Sequence, residues 1–256
     1  MKKLRPRFAP TIPGIFIQAV TLDRVMGPGD ESYPYSVPAI RHLTDLVFDA
    51  PVTFFVGENG SGKSTLLEGL AVAFGLNPEG GTKYERFSTN STHSDLFKRL
   101  VLTKSRTAPT DSYFLRAESF YNVASAFGNE DTFGGRSLHA QSHGEAFLAL
   151  VLHRLRGDGL YLFDEPEAAL SPARQLALLA AMHRLVERGS QFIVATHSPI
   201  LLGYPGACIY LFSDEAITRA AYAETEHYQI TKAFLERPER MLRELFDDTA
   251  SEDGTE

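Results

Sequence analysis

The stretch GENGSGKS, Gly57 to Ser64, constrains the fold more than any other part of the chain. It ends the β-rich apolar run PVTFFV and opens the helical run STLLEGLAVAF, which Gly75 stops. The pattern is G-x-x-x-x-G-K-S, set between a strand and a helix. Its glycines let the backbone wrap closely around phosphate oxygens, with several N–H groups pointing inward. The helix start adds positive potential at the same place. The segment Glu58, Asn59, Gly60, Ser61, Gly62, Lys63, Ser64 and Thr65 is therefore expected to cradle a nucleotide's phosphates. Lys63 reaches the β- and γ-phosphates, and Ser64 offers a hydroxyl to Mg²⁺.

The rest of the chain alternates strands and helices, which predicts an α/β fold with a largely parallel sheet. GIFIQAVTL at 14–22, SYFLRA at 112–117, LYLF at 160–163, QFIVA and ACIYLF read as strands. Helices are expected at about 143–155, from Ser171–Pro172 to Gly189, and at about 226–246 with an interruption near Pro238. Between 77 and 111 the chain turns polar, and DLFKRLVL reads there as a short helix in a small subdomain or insertion. The stretch 124–142 is Gly- and Ser-rich and irregular, and the acidic end DDTASEDGTE is expected to fray.

Two further strands end in chemistry. In LYLFDEPEAALSP, Asp164 follows an apolar strand, at the sheet edge where open parallel sheets bind ligands. An Asp there holds Mg²⁺, and Glu165 beside it orients or deprotonates the attacking water. In QFIVATHSP, His197 stands past the next strand at the same edge, where it hydrogen-bonds the γ-phosphate and the water. Lys63, Glu165 and His197 are thus the candidate catalytic residues.

QSHGE, Gln141 to Glu145, opens the helix before the acid pair. In this order and spacing, phosphate loop, QSHGE, acid pair and histidine resemble the ABC-class ATPases. In that family a motif of the type L-S-G-G-[QE] caps the γ-phosphate bound by a second subunit in a head-to-tail dimer. The resemblance assigns that trans role to Ser142, His143, Gly144 and Glu145, with His143 replacing the usual glycine; the other reading is an ordinary helix start. Ala169, Leu170 and Ser171 resemble the loop that crosses between subunits. Glu118, after the strand at 112–117, is nearest by order to the family's Mg²⁺-touching glutamine, or is a surface acid. Tyr33 and Tyr35 either stack on adenine or pack the loop. The wording DEPE-AALSP, with RAESF and QSHGE, is similar to stand-alone AAA family ATPases near the SMC, RecF and RecN branch. The fold this resemblance implies is a P-loop NTPase, an ABC-type ATPase head with a mostly parallel central sheet, an N-terminal antiparallel β subdomain and a small helical or irregular insertion. The expected organisation is one domain over 1–246, with an insertion and signature region at about 77–155 and an acidic tail at 247–256. The cofactors implied are ATP and Mg²⁺.

Composition narrows the partners. The chain has 256 residues, 43% hydrophobic and 22% charged, enough for a sizeable core. A net charge of −7 argues against a broad nucleic-acid-binding surface. The basic MKKLRPR with Lys98, Arg99, Lys104 and Arg106 is either a local patch or a solvated face. A single cysteine, Cys208, makes an internal disulfide impossible. No apolar run is long enough to cross a bilayer, so a cytoplasmic protein without direct membrane insertion is expected. The absence of a long heptad run predicts a head without a coiled-coil arm. Three functions compete. The first is an ATP-dependent homodimeric switch that grips nucleic acid or an effector protein in repair, genome maintenance or defence. The others are a transporter's ATP-binding subunit and a regulator with little turnover.

Overall fold

The computed structural model describes residues 13–23, 32–82, 94–117 and 141–252, together with positions 120 and 135. The strands are β1 (Ile17–Leu22), β2 (Asp45–Val47), β3 (Val52–Gly57), β4 (Leu100–Lys104), β5 (Asp111–Arg116), β6 (Gly159–Asp164), β7 (Gln191–Ala195), β8 (Cys208–Phe212) and β9 (Ile217–Arg219). The α-helices are α1 (Pro38–Arg41), α2 (Lys63–Phe74), α3 (His143–His153), α4 (Pro172–Glu187), α5 (Pro199–Leu202), α6 (Glu226–Glu236) and α7 (Pro238–Glu252).

The strands form a central sheet in the order β5-β6-β7-β3-β8-β9 and a smaller sheet in the order β2-β1-β4. The central sheet is parallel up to β8, with β9 antiparallel at the edge. The small sheet is antiparallel throughout. The inner strands are apolar at nearly every position because both faces are covered. Their two-residue period then divides the core. Phe54, Tyr161, Phe163, Phe192 and Val194 face the side packed by α3, α4 and α5. Phe55, Leu160, Leu162, Ile193 and Ala195 face α2 and the small sheet. Truncating a buried ring such as Phe163 to alanine would cost about 3–5 kcal/mol.

Strand order sets the site. β7 lies between β3, which carries the phosphate loop, and β6, which carries the acid pair. The loop, the acids and the segment after β7 therefore emerge side by side at one edge.

Two expectations change. DLFKRLVL is only one turn of 3₁₀ helix (Asp95–Lys98); the chain then extends as β4, because Val101 and Leu102 pair with Thr21 and Val20. β4 completes the small sheet and β5 joins the central one beside β6. The C-terminal segment is interrupted where expected: it forms two helices, α6 and α7, separated at Arg237, because proline at 238 starts a helix more readily than it continues one. α7 runs to Glu252, beyond the expected end at 246.

Candidate functional site

The phosphate loop has the backbone its sequence calls for. Gly62 has φ 101° at the α2 N-cap, a left-handed conformation that suits glycine. A Cβ at Gly57 would stand 2.4 Å from the Phe212 carbonyl oxygen, so the loop seats on β8 only with glycine there. Lys63 is buried, and its Nζ donates to the carbonyls of Gly57 (2.8 Å) and Glu58 (2.7 Å). Burial lowers its pKa, against the opposing pull of Glu165, Asp164 and Glu167. Ser61 Oγ is buried without a hydrogen-bond partner inside the loop, a donor suited to an anion.

Ser64 Oγ donates to Asp164 Oδ1 at 2.8 Å, so the hydroxyl at the head of α2 meets the carboxylate at the end of β6. Two hard oxygen ligands are a suitable donor set for Mg²⁺, which takes few ligands from protein and the rest from phosphate and water. Arg116 ends β5 in register with Asp164. Its Nε lies 3.6 Å from Asp164 Oδ2, and its Nη1 pairs with Glu68 at 2.9 Å. Glu118, two residues on, lies outside the described residues.

Glu165 adopts φ 48°, ψ 52°, one of two non-glycine residues with positive φ among the described residues. That conformation costs about 1–2 kcal/mol and is held by the Glu165 N–H bond to the Ala195 carbonyl at 2.9 Å. The strained turn carries the carboxylate away from β6 toward the site, where its side chain stays about two-fifths exposed (43%). Glu165 Oε1 is 3.8 Å from His197 Nε2. Burial and Lys63 hold His197 below the ordinary histidine pKa, with Glu165 opposing. The His197 N–H donates to Glu167 Oε1. Burial raises the pKa of the Glu167 carboxyl.

A cavity of about 330 Å³ is walled by Ser64, Asp164, Glu165, Arg116 and His143. The tip of QSHGE therefore borders the cavity of its own chain. Ser142 caps α3 in a full capping box: its Oγ accepts from the Glu145 N–H at 3.4 Å, and its own N–H donates to Glu145 Oε2 at 2.9 Å. Arg174 of α4 binds both residues, at 3.3 Å to Ser142 Oγ and 3.0 Å to Glu145 Oε1. A Cβ on Gly144 would lie 2.5 Å from the Ala169 carbonyl oxygen, so glycine lets the helix start touch the loop after the acid pair. Leu170 of that loop accepts from Gln175, which in turn accepts from Ser198 beside His197.

Tyr33 shares a 3.2 Å hydrogen bond with Thr65, beside the phosphate loop, whereas Tyr35 faces the Arg99 guanidinium. Of the basic candidates, Lys98 pairs with Asp95 and Lys104 lies over Phe74, whereas MKKLRPR lies outside the described residues. Sequence reasoning missed Arg116, Arg174 and His227, which meets His197. Arg116 had a signal, as the last residue of the strand preceding the acid strand. His227 had none, because only the tertiary fold brings α6 to His197.

Sequence comparison bears on the same residues. The vitamin B12 import ATP-binding protein BtuD of Salmonella typhimurium is 30% identical over 177 residues, 60% of this chain and 70% of that protein. The chain belongs to the ABC-class P-loop ATPases. This ABC-class ATPase also matches a family described as "AAA domain" over residues 34–115. A second family, "AAA domain, putative AbiEii toxin, Type IV TA system", matches residues 135–203. A "Putative ABC transporter ATP-binding protein" of Caldanaerobacter subterraneus is 29% identical over 201 residues, 69% of this chain and 82% of the relative. Among solved structures, CbiO1 of Clostridium perfringens, part of the transporter complex CbiONQ, is 16% identical. It covers 91% of this chain and 99% of its own, with a TM-score of 0.48. The protein is an ATP-binding ABC-type ATPase. Among the described residues no helix is long and apolar enough to cross a membrane.

Proposed function

We propose that this ABC-class ATPase is a Mg²⁺-dependent hydrolase of ATP that works as a head-to-tail pair of identical heads, closed by ATP and reopened by hydrolysis. The supporting observation is the convergence of Lys63, Ser64, Asp164, Glu165 and His197 at one edge of the central sheet. Ser64 and Asp164 would hold Mg²⁺, which neutralises phosphate charge when bound. Glu165 orients the attacking water and takes its proton. Lys63 turns its ammonium from the loop carbonyls to the β- and γ-phosphates. His197 donates to the γ-phosphate and steadies Glu165.

In the pair, Ser142, His143 and Gly144 face the partner's γ-phosphate. Ser142 Oγ also donates to Glu145 Oε2 at 2.9 Å, so closure requires the hydroxyl to turn from that carboxylate to phosphate. The test is size in solution of Glu165→Gln with and without Mg-ATP. An ATP-dependent dimer supports the reading. A monomer under both conditions overturns it and leaves His143 to act on its own chain's cavity.

A soluble switch in repair, genome maintenance or defence is the role favoured by the DEPE wording of the acid pair. The names of the relatives favour a second role, as the ATP-binding subunit of a membrane transporter. Stimulation of ATP turnover by DNA or RNA would select the first. Stimulation only by a membrane partner would select the second.

A further inference from the structure

A second histidine stands behind His197. His227, near the start of α6, places Nε2 2.9 Å from His197 Nδ1. The ring centroids are 5.1 Å apart, the spacing of two imidazoles joined edge to edge through nitrogen. The segment that brings His227 there is anchored. Buried Thr225 caps α6 by accepting from the Tyr228 N–H, and it donates to the Tyr222 carbonyl at 2.8 Å. Tyr222 OH donates to the Pro199 carbonyl at 2.8 Å, two residues past His197.

Two ring nitrogens this close need one proton between them, since two lone pairs or two N–H groups would repel. The tautomers of the rings are therefore linked. In one arrangement His227 Nε2 carries the proton, His197 Nδ1 accepts it, and the proton of His197 sits on Nε2. In the other, His197 Nε2 is a bare lone pair. That atom is buried without a hydrogen-bond partner, and Glu165 Oε1 lies 3.8 Å from it. A lone pair facing a carboxylate is repelled, whereas an N–H is attracted. The first arrangement is the one the surroundings favour.

We propose that His227 is a positioning residue that fixes His197 with its proton on Nε2, aimed at the Glu165 carboxylate and the phosphate end of the site. The arrangement needs neutral rings. Burial favours them at both positions, Lys63 adds to it, and Glu165, Glu167 and Glu226 oppose it. His227 also sits in the first turn of a helix, where a positive charge is unfavourable.

The inference rests on His197 being the catalytic histidine, so His197→Ala is measured beside His227→Leu and His227→Gln. Glutamine can place an N–H where the imidazole Nε2 stood, and leucine cannot. Melting temperatures check folding, and ¹⁵N shifts of the His197 ring read the tautomer without any turnover. Leucine should lower kcat about tenfold with KM for ATP little changed, because a ring without its partner divides between tautomers and orientations. Glutamine should restore most of the loss, and the wild-type spectrum should show His197 protonated on Nε2. A spectrum with the proton on Nδ1 overturns the proposal. So does a wild-type kcat in His227→Leu while His197→Ala is impaired, or an equal loss in folded leucine and glutamine variants. Wild-type turnover in His197→Ala would instead remove the catalytic role of His197, and the spectrum alone would then decide the positioning.

Discussion

Replacing Gln191 with leucine tests what holds the small antiparallel sheet on the central one. Gln191 begins β7 and is fully buried. Its Oε1 accepts from the N–H groups of Phe16 (2.8 Å) and Ile17 (2.9 Å), and its Nε2 donates to the Ile17 carbonyl at 2.9 Å. Leucine is of similar size and removes all three bonds. Stranded backbone groups cost about 1–3 kcal/mol each, a gross loss of about 3–9 kcal/mol. Burying an apolar side chain instead of an amide returns about 1–2 kcal/mol, and water reaching the freed groups recovers more. The net expectation is a loss of about 3 kcal/mol. Equilibrium urea unfolding followed by far-ultraviolet circular dichroism reads it: at a slope of about 3 kcal/mol per molar, the midpoint falls by about 1 M. A midpoint within about 0.3 M of wild type would show that β1 does not depend on this side chain.

The site itself yields the remaining tests. Glu165→Gln should lower ATP turnover by about 10²–10⁴-fold while a fluorescent ATP analogue still binds. Gly144→Ala puts a methyl against the Ala169 carbonyl at 2.5 Å and Arg174 Nη1 at 2.9 Å; a strain of about 1–3 kcal/mol should weaken ATP-dependent dimerisation about tenfold or more in sedimentation, with ATP binding intact. His197 and His227 both have pKa values below the ordinary 6.5. The unfolded chain therefore takes up these protons first as pH falls, so their stability contribution is present above about 6.5 and lost toward the lower folded values. Urea midpoints should drop as pH falls below about 6.5, and less steeply in His227→Gln.

The motif-bearing strands were legible because each announces itself locally: an apolar run, then the residue that acts. Gly57–Ser64, Asp164 and His197 needed only the alternation of strands to share an edge. β4 was not legible, because LVLTK follows a helical turn and its strand character comes from pairing with β1, which is distant in sequence. Arg174 and Gln175 lie on a helix that reads simply as amphipathic. Their partners, the capping box and the Leu170–Ser198 link, appear only when α3, α4 and β7 are packed. QSHGE shows the limit from the other side. Its capping box satisfies an ordinary helix start, and the same geometry presents Ser142 at an exposed tip, so local sequence supports both readings.

The bond between Ser64 and Asp164 joins residues 100 positions apart, and Glu165 and His197 meet only after β6 and β7 have paired. Contacts of that range reward the chain late in folding. A nucleotide that recognises the finished site has nothing to grip on the way to it. It does not hasten folding; it slows departure from the native state. The lifetime of the folded head therefore tracks the supply of ATP.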